Sequence, residues 1–370
     1  MGVVPLYTLM VSAGSGSPGV QGWVQPADTH WVQLSLGYSC RVGPDISVAV
    51  ATFNGERFIE EQLASIASQH PAPFEVVIAD DGSTDRTREL AASALSDVPF
   101  RVLFLGHGHV GLRRNVERAI EACTGSIIAL SDQDDIWLPG RLAAIGGAFA
   151  DPTVNLWFSD AELIDERGGL LGVRLWERVT LPPEAQRALT EGAGVRRLLF
   201  GMTVTGATMA FRTSLRSLAL PFPAELDDPD TFLHDGWIAV LAALTGRVAT
   251  ETHCFTQYRR HERQFTHMPV APEPAHTSRR RELATRRNIE REHARVHLVL
   301  ERLVERDTLN RCSKEDQRLL TELDELLGGR IQPPGPRRTC AILSAFGGGL
   351  YDRHARGWRT ALGDLFYPRR

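Results

Sequence analysis

Short apolar runs alternate with amphipathic stretches over the first half of the chain, and the alternation predicts an α/β architecture. Ile46 to Ala51 reads as a buried strand, Thr52-Phe53-Asn54-Gly55 as a turn, and Glu56 to Gln69 as a helix with Phe58, Ile59, Leu63 and Ile66 along one face. Phe74 to Ala79 and Phe100 to Leu105 repeat the strand signal, a helix is expected over Leu112 to Ala122, and Ile127 to Leu130 is a fourth strand. Strands separated by helices of this length imply a mostly parallel, Rossmann-like sheet wrapped on both faces. Such sheets place their chemistry where the strands end.

The polar residues gather at those ends. Thr52, Asn54 and Glu56 close the first strand, Asp80 and Asp81 the second, Arg113, Arg114 and Asn115 open the helix after the third, and Ser131-Asp132-Gln133-Asp134-Asp135 closes the fourth. Three acids within four residues repel one another, and a divalent cation with oxygen ligands is the usual relief. An acid beside a Thr hydroxyl or an Asn amide can read the imide edge of a pyrimidine, and Arg suits phosphate. Each residue also has a plainer reading: the acidic turn and Asp85 as helix caps, Asn115 as a partner for backbone, Arg113 as a solvated surface charge.

Composition narrows the class without naming it. With 370 residues, 43% hydrophobic content and a formal charge of -4, the chain reads as a soluble globular protein with no basic field for nucleic acid. Lys314 is the only lysine, which reads as genomic base composition, and the five cysteines show no CxxC spacing, which favours a reducing compartment and excludes structural zinc built on them. No apolar run approaches the ~20 residues of a membrane-spanning helix; Trp237 to Leu244 is far too short. Met1 to Ala13 lacks a basic start and contains Pro5, unlike a secretory signal.

Residues 1–44, Gly/Ser-rich over Ser12 to Pro18, are expected to be a loosely ordered extension. The body spans 45–265 and divides into two halves, 45–137 and 138–265. A helical appendage at 276–330 follows, with a break near Asn310. Beyond the linker Gln332-Pro333-Pro334-Gly335-Pro336, the segment 337–370 mixes Arg with Leu, Phe, Tyr and Trp358. It suits either domain packing or peripheral contact with an anionic membrane surface, and the appendage leaves a homodimer contact open.

The motifs ISVAVATFNGERFIEEQLASI, FEVVIADDGSTDRT, GLRRNVERAI and SDQDDIWLPGRL, followed by WFSDAELIDERG, TGATMAFR, HDGWIAVLAALTG and QYRRHERQ, resemble family 2 glycosyltransferases of the GT-A fold over roughly residues 45–265. SDQDD, HDGW and YRRH most resemble rhamnosyltransferase-type members. The resemblance implies that Thr52, Asn54, Glu56, Asp80, Asp81 and Arg114 hold the nucleoside, that Asp132, Asp134 and Asp135 form the metal and diphosphate group with Asp134 the leading direct ligand, and that the cofactor is Mg2+ or Mn2+. It makes Asp235 the base that deprotonates the acceptor hydroxyl, with inversion. It places Arg259 and Arg260 near the diphosphate, has His261 completing the metal shell, and assigns sugar or acceptor contacts to Asp160 and Gly206. Trp237 is either an acceptor-stacking ring or core, His234 is weighted towards packing, and His107 and His109 receive no role.

The implied reaction moves a sugar, L-rhamnose from dTDP-rhamnose or alternatively a hexose from a UDP donor, to a glycan or lipid-linked glycan acceptor in cell-surface polysaccharide synthesis, at the cytoplasmic side. A metal-dependent phosphohydrolase or nucleotidyltransferase and a non-catalytic sugar-nucleotide-binding module are the rivals from other classes. A dinucleotide oxidoreductase is disfavoured, because the first strand-to-helix turn is TFNGER and not GxGxxG.

Overall fold

The computed structural model describes the backbone at 8–10, 21–25 and 30–35, and residues 43–366 except 107, 202, 229–230, 263, 265–277 and 356. The chain divides into two compact units. Unit 1 comprises 1–194, 202–227 and 233–262; unit 2 comprises 195–201, 228–232 and 263–370.

The strands, in chain order, are β1 Thr8–Met10, β2 Gln21–Gln25, β3 His30–Ser35, β4 Ile46–Thr52, β5 Glu75–Asp80, β6 Arg101–Gly106, β7 Ile127–Asp132, β8 Ile136–Trp137, β9 Val154–Ser159, β10 Glu162–Ile164, β11 Leu170–Arg174, β12 Met209–Arg212, β13 Arg247–Glu251 and β14 Thr256–Arg259. Ten form one sheet in the order β1-β2-β3-β6-β5-β4-β7-β12-β9-β13. Its centre, β6-β5-β4-β7, is parallel. The next strand, β12, is antiparallel to both β7 and β9.

The near-continuous apolar runs of β4 and β5 reflect burial on both sides. Val48, Val50, Val76, Ile78, Val102 and Ala129 pack in one cluster with Ile59, Leu63 and Ile66 of helix Ile59–Ala67 and with Leu142 and Ile145 of helix Arg141–Ala148. Helix Leu112–Ala122 lies against β4 and β5, and helix His234–Thr245 against β9 and β13. The first helix begins at Ile59, later than its sequence pattern suggests. Glu56 belongs to a turn, in which the amides of Phe58 and Ile59 both donate to the Gly55 carbonyl at 3.0 Å.

Topology fixes where the site lies. The chain runs from β4 outward through β5 and β6 and then returns to pair β7 with the other side of β4, so the connections diverge between β4 and β7. Ligands bind in open α/β sheets at the carboxyl ends of strands flanking such a divergence. The register aligns Thr52 with Asp80 and Ala51 with Asp132 across that end. A second sheet, β11-β10-β14-β8, is built around the acidic motif: β8 follows it directly and pairs antiparallel with β14.

Within the N-terminal 44 residues, the described stretches β1, β2 and β3 form an antiparallel meander that continues the sheet from the edge of β6. An edge strand presents unpaired N–H and C=O groups, and pairing with β3 satisfies those of β6. The other residues of 1–42 lie outside the described residues.

In unit 2, helix Ser278–Glu305 and helix Lys314–Ile331 pack together, with Leu309–Arg311 as the interruption. Ser313 caps the second, accepting from the Asp316 amide at 3.0 Å. The segment after the Pro-rich turn forms three helices, Pro336–Gly347, Leu350–His354 and Trp358–Phe366. Ile342, Ala345, Leu350, Tyr351 and Ala361 form a cluster with Leu326, so this segment packs within its own unit. Among the described residues no helix is long and apolar enough to cross a membrane.

Leu63 is fully buried beneath the central strands. Leu63→Ala is expected to cost about 2–5 kcal/mol, read as a shift in the urea midpoint without a change in slope.

Candidate active site

The acidic motif is a tight constellation. One carboxylate oxygen from each of Asp132, Asp134 and Asp135 lies within 4.8 Å of the others. Burial first, then the neighbouring Asp134 and Asp235, pushes the Asp132 carboxyl up to about 7, and burial with the same crowding raises Asp135 well above the carboxylate range. Asp135 Oδ2 is buried with no hydrogen-bond partner, while Oδ1 accepts the Arg259 amide at 2.9 Å. A buried oxygen left unmatched costs desolvation energy unless a cation takes it up.

Two guanidinium groups sit close by, and that of Arg259 is paired with Glu61. Arg141, fully buried, donates to Thr256 Oγ1 at 2.7 Å and stacks 4.0 Å over the Trp137 ring. Burial lowers its pKa to about 9, while Asp135 and Asp132 pull it back up. Three carboxylates against this guanidinium leave two negative charges when all are ionised, the charge of one divalent ion. The donor set, all oxygen, suits Mg2+ or Mn2+. His261 Nε2 lies 2.8 Å from Asp134 Oδ2, beside the acidic group.

Other loops are laced to hold this end of the sheet. Thr52 Oγ1 donates to Asp80 Oδ1 at 3.1 Å, and Asp80 Oδ2 also accepts from the Ser83 amide and from Arg88 Nε at 2.6 Å. Asn54, at φ 47, accepts the Thr84 amide at 2.9 Å; Glu56 accepts the Arg86 amide and donates its own to Asp85. Asp85 also accepts the Thr87 amide at 3.0 Å, close to its plainer reading as a cap. Gln133 grips the Phe53 backbone twice, accepting from N–H at 2.9 Å and donating to C=O at 3.1 Å. That grip crosses the space above Gly55, where a Cβ would collide with the Gln133 amide.

Asp235 stands in the first turn of helix His234–Thr245 but does not cap it; Leu233 is the N-cap residue. Its Oδ2 accepts the Gly206 amide at 3.0 Å and its Oδ1 the Gly236 amide at 2.7 Å. A Cβ on Gly206 would meet His234 Nε2 at 3.1 Å, so bare backbone is needed for this approach. Gly206 therefore positions the carboxylate. His234 is buried, which lowers its pKa, and lies 6.5 Å from the Phe222 ring, a packing role. Trp237 is core, with Nε1 donating to the Ala219 carbonyl at 3.0 Å.

Several sequence expectations are redirected. Arg259 is 2% exposed, and its guanidinium donates to the Asp134 carbonyl at 2.7 Å, to Glu61 at 2.6 Å and to the Glu166 carbonyl at 3.2 Å. Through these bonds it braces the acidic turn. Arg114 pairs with Glu117 and Glu121 of its own helix. Asp81 accepts the Val110 and Gly111 amides at 2.6 and 3.0 Å and lies 2.8 Å from His109, which ties down the loop after β6. Asp160, nearly buried, accepts the Ala161 and Trp176 amides, a backbone role. Asn115 donates to the Thr52 and Ala79 carbonyls, as its plainer reading has it. Sequence reasoning missed Arg141, Gln133 and Glu61; a charge within the otherwise apolar RLAAI was the one available signal for Arg141. His107 lies outside the described residues.

Comparison with known proteins fits this geometry. Residues 47–166 match the family model described as Glycosyl transferase family 2. An uncharacterized protein of Mycobacterium tuberculosis is 35% identical over 116 residues, 31% of this chain and 36% of the relative. An uncharacterized glycosyltransferase of Nostoc is 28% identical over 120 residues, 32% of this chain and 37% of the relative. The chain thus spans about a third of the length of these relatives. Among solved structures, S. aureus TarS in complex with UDP-GlcNAc aligns at 18% identity and a TM-score of 0.45, covering 86% of this chain and 90% of that one.

Two substitutions test the scaffold. Asp135→Asn keeps an acceptor for the Arg259 amide and removes a buried like charge, so the metal-free protein should melt higher while the stabilisation by Mn2+, about 2.7 kcal/mol at a hundredfold excess over Kd, is lost. Arg259→Ala should lower stability by about 1–3 kcal/mol even without nucleotide, since it strips partners from buried carbonyls; an unchanged thermal midpoint would show that the arginine is no brace.

Proposed function

We propose that the protein is an inverting, metal-dependent glycosyltransferase that moves a sugar from a nucleoside diphosphate donor to a hydroxyl of a glycan or lipid-linked glycan. The observation that carries this reading is the convergence of two acid sets: Asp235 lies close enough to Asp132 for its charge to raise that pKa, yet it is mounted on a separate element. A metal-diphosphate group and a detached base are what glycosyl transfer requires. A hydrolase needs no base mounted for an acceptor, and a binding module has no use for one.

In this reading Thr52, Asp80, Asn54 and Glu56 line the nucleoside end, and Asp132, Asp134 and Asp135 with His261 hold the divalent ion. The ion, when bound, offsets charge on the diphosphate. Asp235 accepts the proton of the acceptor hydroxyl as its oxygen attacks the anomeric carbon. The bond to the diphosphate breaks, the leaving group keeps the electron pair, and the configuration inverts. The two amides on Asp235 hold its oxygens in place, so orientation is set before the acceptor arrives. Among donors, dTDP-rhamnose is supported by the SDQDD, HDGW and YRRH motifs, and a UDP-hexose is the second reading.

Asp235→Asn should preserve metal-dependent donor binding while turnover falls by at least ~100-fold, the contribution of a positioned base. Calorimetry with dTDP- and UDP-sugars, with and without Mn2+, paired with single-turnover rates, checks both halves. Full turnover in the variant would remove Asp235 from the role, and donor binding independent of metal would remove the acid group from its own.

A further inference from the structure

Unit 2 carries a second group of metal-capable side chains, distant in sequence from the acidic motif. His293 and His297 stand one helical turn apart on helix Ser278–Glu305, and Asp324 projects from helix Lys314–Ile331. The i, i+4 spacing puts both imidazoles on one face. Both address the same oxygen: His293 Nε2 lies 3.4 Å and His297 Nδ1 3.2 Å from Asp324 Oδ1. The rings are 5.5 Å apart and nearly parallel, at 16°.

These separations fit a shared ion. Two ligands on a tetrahedral ion with metal–ligand distances of about 2.0–2.1 Å stand roughly 3.3–3.4 Å apart. Two further observations point the same way. The outer nitrogen of His297, Nε2, lies 3.3 Å from Glu301 Oε1, the carboxylate partner that usually fixes the tautomer and orientation of a ligating histidine. Gly328, inside the second helix and one turn beyond Asp324, would bring a Cβ within 3.1 Å of His293 Nε2. Glycine in a helix interior costs about 0.5–1 kcal/mol relative to alanine, and here its bareness leaves room for the imidazole.

We propose that His293, His297 and Asp324 bind a transition-metal ion of the zinc class, which clips the two long helices of unit 2 together. Two nitrogens and one oxygen suit Zn2+ or Co2+ rather than Mg2+, whereas three carboxylates dominate the group of unit 1. A fourth position remains for water or an added ligand. Side-chain exposures of 20% for His293, 31% for Asp324 and 50% for His297 give the ion a path from solvent.

The test uses the full chain with excess Mg2+ present to occupy the acidic group, titrated with Zn2+ and, for its visible spectrum, Co2+. One equivalent should bind, with the intense bands of a tetrahedral site and a rise in Tm. Affinity should fall at least tenfold in His293→Ala and His297→Ala, and in Glu301→Gln through loss of the outer carboxylate. Asp134→Ala should leave it unchanged. His297 is half-exposed, so His297→Asn, with helicity checked by circular dichroism, separates loss of metal from loss of fold. No uptake under Mg2+, uptake unchanged in the correctly folded histidine variants, or uptake lost with Asp134→Ala overturns the assignment. The first two outcomes would make these contacts ordinary imidazole–carboxylate hydrogen bonds.

Discussion

Holding three mutually repelling carboxylates at the open end of a buried sheet is the constraint around which unit 1 is organised. Each acid alone would be better left in water, and together they push one another towards protonation. The fold keeps them in place by fastening the backbone that carries them. The Arg259 amide ties down Asp135, the Arg259 guanidinium takes the Asp134 carbonyl, and Arg141 supplies charge from below. The small second sheet exists where it does because β14 must run past β8 for these bonds to form. Strain of this kind is tolerated when a ligand is to relieve it, and a divalent ion with oxygen ligands would do so.

The same logic separates residues that serve a ligand from those that serve the rim. Asp81, Asp160, Arg114 and Arg259 look like their neighbours in sequence, yet their charged ends are occupied by backbone amides, carbonyls or nearby acids. Thr52, Asp80 and the acidic triad are joined to one another at the sheet's end. The loops after β4 and β5 exchange hydrogen bonds reciprocally: Asn54 and Glu56 accept the Thr84 and Arg86 amides and donate their own to Ser83 and Asp85, which gives this rim a preformed edge. Preformed edges lower the entropy that binding must overcome. Asp235 reaches the same space from helix His234–Thr245, held by the Gly206 amide, so the proposed base and the metal group belong to independent parts of the chain.

Unit 2 solves a different problem. Its two long helices have modest apolar faces, and the Arg and Glu that fill their surfaces contribute little to packing. Leu320, Leu323, Leu326 and Leu327 supply a seam, and the C-terminal helices cover part of it through Ile342, Leu350 and Tyr351. A metal clip between His293, His297 and Asp324 would add a fixed point to that seam at the cost of few residues.

The sequence alone determined the strand-helix alternation, the parallel centre of the sheet and the acidic cluster at a strand's end, because apolar periodicity and local charge are properties of neighbouring residues. It also singled out Asp235, since HDGW is a local motif. Tertiary structure decided which polar residues face the site. Arg259 and Arg114 carry the charge that would attract a phosphate, and only the positions of Asp134, Glu61, Glu117 and Glu121 in space show which partners each has in this structure. Arg141 was illegible for the reverse reason: its value lies in being buried beside acids, and burial arises from packing between elements far apart in the chain. Strands β1 to β3 escaped notice because their pattern is weak, and they are ordered by the free edge of β6 rather than by their own composition.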